Sequence, residues 1–153
     1  MTPAGRVLVL HGPNLNLLGE REPEIYGHLT LAEIDERIGT HAAELGLEVR
    51  TAQSNLEGEL IDAIQGAREW ADAIMINPGG YSHTSVAIRD AIAAVEIPTV
   101  VVHLSNPMAR EEFRHTDLVA GAASGSVSGF GWRGYTLALD ALAAVLTGDR
   151  AAG

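Results

Sequence analysis

Asn14, Arg21 and Tyr26 fall within one stretch, His11 to Gly27, while His103, Ser105 and Arg114 fall within another. A phenol, an imidazole and guanidinium groups are the parts of a proton-transfer site. The first stretch holds three glycines and two prolines, so it is read as a loop rather than a regular helix. An arginine five residues before a tyrosine, in a loop able to fold one over the other, can turn that tyrosine into a base. A free phenol ionises near pH 10, so a phenolate at neutrality needs about 4 kcal/mol of preference for the anion. One close guanidinium in a dry site supplies much of that. Arg21 is nearest in sequence, and Arg114 can add to it. The same residues also permit a plain loop anchor, with the Tyr26 ring packed and its hydroxyl in water.

His103 stands in an otherwise apolar run, Val100 to Leu104, just before Ser105-Asn106-Pro107. It is either a satisfied core histidine or a proton donor beside a carboxylate held on first-turn amides. Asn77 and His83 flank a glycine-rich turn and either orient hydroxyls or serve turn and cap chemistry. Arg110, Glu111 and Glu112 read as a solvated helix face, with Arg114 alone of that run assigned to the site.

These groups need elements to position them. Val7–Leu10, Leu47–Thr51, Ala73–Ile76 and Thr99–Leu104 predict buried strands, with a weaker fifth within Leu118–Val127. Helices are predicted from Thr30 with a capping box to Glu33, from Ser54 with Glu57, over Thr84–Val95, from Asn106-Pro107 through Phe113, and over residues 134–147. Strands alternating with helices imply an α/β, flavodoxin-like three-layer fold: a five-stranded parallel sheet of order 2-1-3-4-5 with helices on both faces. One domain spans 1–153, with a frayed tail at 147–153. In such sheets ligands bind beyond the carboxyl ends of the strands, where the polar residues here concentrate.

Composition removes several chemistries. There is no cysteine, hence no thiol nucleophile and no disulfide, and all ten basic residues are arginine, so no lysine Schiff base forms. A net charge of −10 argues against nucleic acid and anionic membrane as partners. A local arginine cluster still leaves room for an anionic substrate. No signal peptide or long apolar run appears, so a cytoplasmic location is expected. Gly129–Gly134 spells a G-x-G-x-x-G pattern at the last strand, where no second strand can follow, and is read as close strand–helix packing. His11, His83 and His103 lack the spacing of a metal site, and none is expected.

Five segments carry a resemblance: Gly12–Gly19, Arg21–Gly27, Gln53–Ile61, Asn77–Ala87, and His103–Asn106 with Ala109–Arg114. Together they resemble the type II 3-dehydroquinate dehydratases over nearly the whole chain. The resemblance implies trans elimination of water from 3-dehydroquinate, in the shikimate pathway or in quinate breakdown, with no cofactor or metal. It implies that Tyr26 removes the C2 proton, with Arg21 on a mobile lid keeping it anionic. Asn14 would hold a water that stabilises the enolate, and His103 would protonate the departing hydroxyl. Asn77, His83 and Arg114 would bind substrate hydroxyls; Ser105 and the Leu104–Ser105 backbone would hold its carboxylate. Asp90 would reach in from a neighbouring subunit, within trimers assembled into a homododecamer.

The chain departs from that pattern around the acid. Val101 stands where a glutamate is usual, two residues before His103 and so on the same strand face. His11 replaces an asparagine, Pro107-Met108 an apolar-histidine pair, Thr116-Asp117-Leu118 a His-Ser-Tyr-like stretch, and Arg133 a glutamine. Either another group assists His103, with His11 a candidate, or elimination is slow, or a related substrate is used. A non-catalytic paralogue binding a cyclic polyol acid is the alternative function.

Overall fold

Branched apolar runs become strands because neighbouring strands and helices cover both of their faces. A computed structural model describes residues 2–148. Its strands are β1 (Gly5–His11), β2 (Leu47–Gln53), β3 (Ala73–Asn77), β4 (Thr99–His103) and β5 (Gly125–Ser128). All pairings are parallel and the order is β2-β1-β3-β4-β5, as the alternating pattern predicts. The helices are a single turn α1 (Pro23–Tyr26), then α2 (Leu31–Glu44), α3 (Glu57–Gly66), α4 (Val86–Val95) and α5 (Arg133–Leu146).

Strand alternation divides the core in two. Val7, Val9, Met75, Val100 and Val102 face α2 and α5 with Ile34, Ile38, Leu139 and Leu142. Leu10, Ile74, Ile76 and Val101 face α3 and α4 with Leu60, Ile64, Ile88 and Ile92. Register aligns the carboxyl ends: His11 pairs with Gln53 on one side and Asn77 on the other, while His103 pairs with Ser128. The chain therefore leaves β1, β3 and β4 at one edge of the sheet. There Gly12 admits no side chain, since a Cβ would lie 2.7 Å from the Pro78 backbone. Gly79, at φ +58°, packs against the Pro13 carbonyl.

Several boundaries differ from the sequence expectation. The Thr30 hydroxyl caps α2 through the Glu33 amide as predicted. Ser54 does not start α3: its hydroxyl accepts from the Leu56 amide and donates to Glu59, and Leu56 precedes the helix. Glu57 accepts instead from the Ser85 hydroxyl, and Ser85 caps α4 through the Ile88 amide, so that helix starts at Val86. Asn106 caps only a 3-10 turn, Pro107–Ala109, and a second turn spans Glu112–His115, so the expected helix through Phe113 is broken at Arg110. The fifth strand is confined to four residues, because Ala120–Ala122 form a 3-10 turn. Gly134 lets α5 lie on β4 and β5, where a Cβ would meet Val102 at 3.2 Å. Of the expected frayed tail, Thr147 and Gly148 still bond back to Ala143 and Val145, and residues 149–153 lie outside the described residues. Among the described residues no helix is long and apolar enough to cross a membrane.

Candidate active site

The loops after β1, β3 and β4 enclose a cavity of about 200 Å³. That is small beside the roughly 300–1,000 Å³ of a drug-sized pocket, and it suits a compact polar ligand. Asn14, Arg21, Tyr26, Asn77, His83, His103, Leu104, Ser105 and Arg114 all border it. Asp90 does not; it lies on the exposed face of α4. Arg21, Arg110 and Arg114 ring the cavity and no carboxylate lines it, so a chain of net charge −10 carries a locally cationic site.

Tyr26 ends α1, which contributes no buried residue. Its hydroxyl accepts a hydrogen bond from Arg110 Nη1 at 3.0 Å, and the same nitrogen donates to Ser105 Oγ at 3.2 Å. The Arg21 guanidinium lies over the Tyr26 ring, 4.6 Å from its centroid. Arg110 therefore touches the oxygen, whereas Arg21 covers the face. Arg114 is directed elsewhere, paired with Glu111 and stacked 4.9 Å from the Phe113 ring. The hydrogen bond from Arg114 is the main reason the Glu111 carboxyl is held below its ordinary range.

Arg110 was missed because its run reads as solvent-facing. No helical spacing could have found it, because Arg110 is extended between the turns Pro107–Ala109 and Glu112–His115.

Asn14 takes a left-handed conformation, φ 70°, and its amide donates to Asn55 Oδ1 at 2.9 Å. Gln53 Nε2 braces the same Asn55 oxygen at 3.1 Å and the Gly12 carbonyl at 3.1 Å. Asn77 is buried: its oxygen accepts from the Gly79 amide at 3.1 Å, and its nitrogen donates one N–H to the Tyr135 hydroxyl at 3.1 Å. Burial pushes the Tyr135 phenol well above its usual range; the Asn77 hydrogen bond works against this, and the charge of Asp35 adds a smaller push upward. Tyr135 thus stays neutral and has a proton for His11 Nδ1, 3.3 Å away, while His11 Nε2 meets Asp35 Oδ1 at 2.7 Å.

That chain corrects the role considered for His11. Its ring is on the α2/α5 side of the sheet, with Asp35 and Tyr135, whereas His103 shares the opposite face with Val101. The residue that reaches His103 is Asp117, with Oδ2 at 2.7 Å from Nε2. His83 Nδ1 lies 2.8 Å from the Thr116 carbonyl oxygen. The three histidines thus have separate partners, and no group of three metal-ligating side chains occurs among the described residues.

Residues 5–143 match the family described as dehydroquinase class II. The 3-dehydroquinate dehydratase of Pelotomaculum thermopropionicum is 53% identical over 140 residues, covering 92% of this chain and 97% of that one. That of Phenylobacterium zucineum is 59% identical over 137 residues, covering 90% and 94%. Among solved structures, the type II dehydroquinase of Butyrivibrio crossotus superposes with a TM-score of 0.88 at 45% identity, covering 90% of this chain and 96% of that one.

Proposed function

The chain belongs to the class II dehydroquinase family and its activity is the dehydration of 3-dehydroquinate, a hydro-lyase reaction; from this we propose that Tyr26 is the base and His103 the acid of that elimination. The observation that carries the assignment is the Tyr26 oxygen bonded to Arg110 and bordering the same cavity as His103. In the first step the C2–H bond breaks, its proton passes to the Tyr26 oxygen, and the electron pair moves onto the C3 carbonyl as an enolate. In the second step the carbonyl re-forms, a double bond forms between C1 and C2, and the C1–O bond breaks. His103 protonates the departing hydroxyl, which leaves as water. The product is the conjugated enone 3-dehydroshikimate.

Arg110 and Arg21 supply the positive charge that a phenolate needs beside it. Asn14 holds a water at the enolate oxygen, acting where charge develops. Ser105 and the Leu104–Ser105 backbone take the substrate carboxylate, and Asn77, His83 and Arg114 take its hydroxyls. Asn77 suits this because its amide orientation is fixed from behind by Tyr135 and Gly79.

The exposure of Asp90, away from its own cavity, supports its entering a neighbour's site in a trimer, with trimers paired into a homododecamer. We place the enzyme in the shikimate pathway or quinate breakdown, in the cytoplasm, as one catalytic domain over 1–153. The test is purified protein with 3-dehydroquinate, followed by enone absorbance. Wild type is expected to turn over, and Tyr26→Phe to lose about 10³-fold or more of kcat with its fold intact. Tight binding without turnover would instead favour a non-catalytic binder of cyclic polyol acids.

A further inference from the structure

Thr116 and Asp117, in the connection from β4 to β5, touch both histidines of the cavity. A carbonyl only accepts, so the Thr116 contact places a proton on His83 Nδ1. Asp117 reaches His103 from across the loop, Oδ2 to Nε2 at 2.7 Å. Burial pushes the Asp117 carboxyl up, but the hydrogen bond from His103, the Ala120 amide, and the charges of His103 and His83 outweigh it and hold the group below its ordinary 3.8. An anion at that distance takes the proton on Nε2.

The carboxylate is itself held rigidly. Its other oxygen, Oδ1, accepts from the Val119 amide at 3.1 Å and the Ala120 amide at 2.8 Å. Val119 is fully buried against Val101 and Leu10. Leu118 ties the segment down through its amide to Ser82 and its carbonyl to Arg89, at 2.7 and 2.8 Å. The strand offers His103 no such group, since Val101 on its face is apolar and buried. His103 Nδ1 makes no hydrogen bond among the described residues, where every buried side-chain nitrogen and oxygen has a partner. Nδ1 is therefore the nitrogen open to the cavity.

We infer that Asp117 is the positioning residue of the acid: it holds the His103 ring with Nε2–H turned away, so that Nδ1 delivers the proton to the leaving hydroxyl. This rests on the dehydratase reading of the cavity. His103 acts as the imidazolium: its Nε2–H stays with Asp117 throughout, its Nδ1–H bond breaks as the new O–H bond forms, and the neutral Nε2–H imidazole left behind takes a proton on Nδ1 from solvent before the next turnover.

The test compares wild type with Asp117→Asn, which keeps an oxygen for the two amides but removes the anion. We expect kcat to fall about 10- to 100-fold, a share of the 10²–10⁴ that a positioned acid contributes, with KM within about twofold. In protein labelled with ¹⁵N-histidine, the neutral form of wild-type His103 should carry its proton on Nε2, and the variant should lose that preference. Should Asp117→Asn fail to fold, Asp117→Ser repeats the comparison at a temperature where it is folded. A neutral wild-type His103 with its single proton on Nδ1, or a folded variant with wild-type kcat, overturns the inference. A wild type that shows the Nε2 proton but no dehydration upholds the Asp117 contact and sinks only the reading of the cavity.

Discussion

Tyr26 and His103 border one cavity, yet Tyr26 ends a single helical turn with no buried residue, and His103 ends a strand buried throughout. From Gly19 to Thr30 no residue is buried, so the proposed base is carried by a segment whose Tyr26 meets Arg110 at its oxygen and Arg21 over its ring. Segments with so little buried surface open at low free-energy cost. The proposed acid, His103, sits on the sheet, its partner carboxylate held by two backbone amides. The difference teaches where variants act. Changes on the base side alter chemistry and closure together, whereas changes on the acid side alter chemistry on a fixed frame.

The sharpest way to break this contrast is Arg110→Leu. It removes the charge nearest the Tyr26 oxygen and the brace on Ser105. We expect kcat to drop about 100-fold or more with little change in melting temperature, since Arg110 is half-exposed. Equal loss of stability and activity would mean that the loop, rather than the charge, is what Arg110 serves.

Val101→Glu is a smaller effect in activity and a larger one in folding. The departure at Val101 suggests a missing carboxylate that a glutamate would restore, raising turnover if that carboxylate is limiting. The structure argues for the opposite outcome, because Asp117 already contacts the imidazole and Val101 packs in the core. Burying an extra carboxylate there costs about 3 kcal/mol or more. For a chain of this size that lowers the melting temperature by about 10 °C. Turnover should not rise. Faster turnover at unchanged melting temperature would show that Asp117 leaves the acid under-served.

The strands, their order and the cluster of polar strand ends were legible in the sequence because they follow from alternation and branched side chains. That Tyr26 and Arg21, from the loop after β1, and His103, from the end of β4, border one cavity also follows what the sequence suggested. Asp117 was not legible: it lies fourteen residues from His103, and only the path of the β4–β5 connection over α4 brings them together. Arg110 was hidden by the assumption of an unbroken helix, where the chain forms two 3-10 turns hinged at that residue. The capping box expected at Ser54 did not form because Ser54 bonds to Leu56 and Glu59, while the Ser85 hydroxyl takes Glu57. Those contests are settled by tertiary contacts that a local pattern does not carry.

The division of labour between phenol and imidazole is tested most directly by solvent exchange at C2 of 3-dehydroquinate, followed by NMR in deuterium oxide. His103→Asn is predicted to abolish enone formation yet still wash deuterium into C2, because the Tyr26 base remains, while Tyr26→Phe should do neither. Exchange that survives in Tyr26→Phe, or that vanishes in a folded His103→Asn with the substrate bound, would contradict the assignment of base and acid.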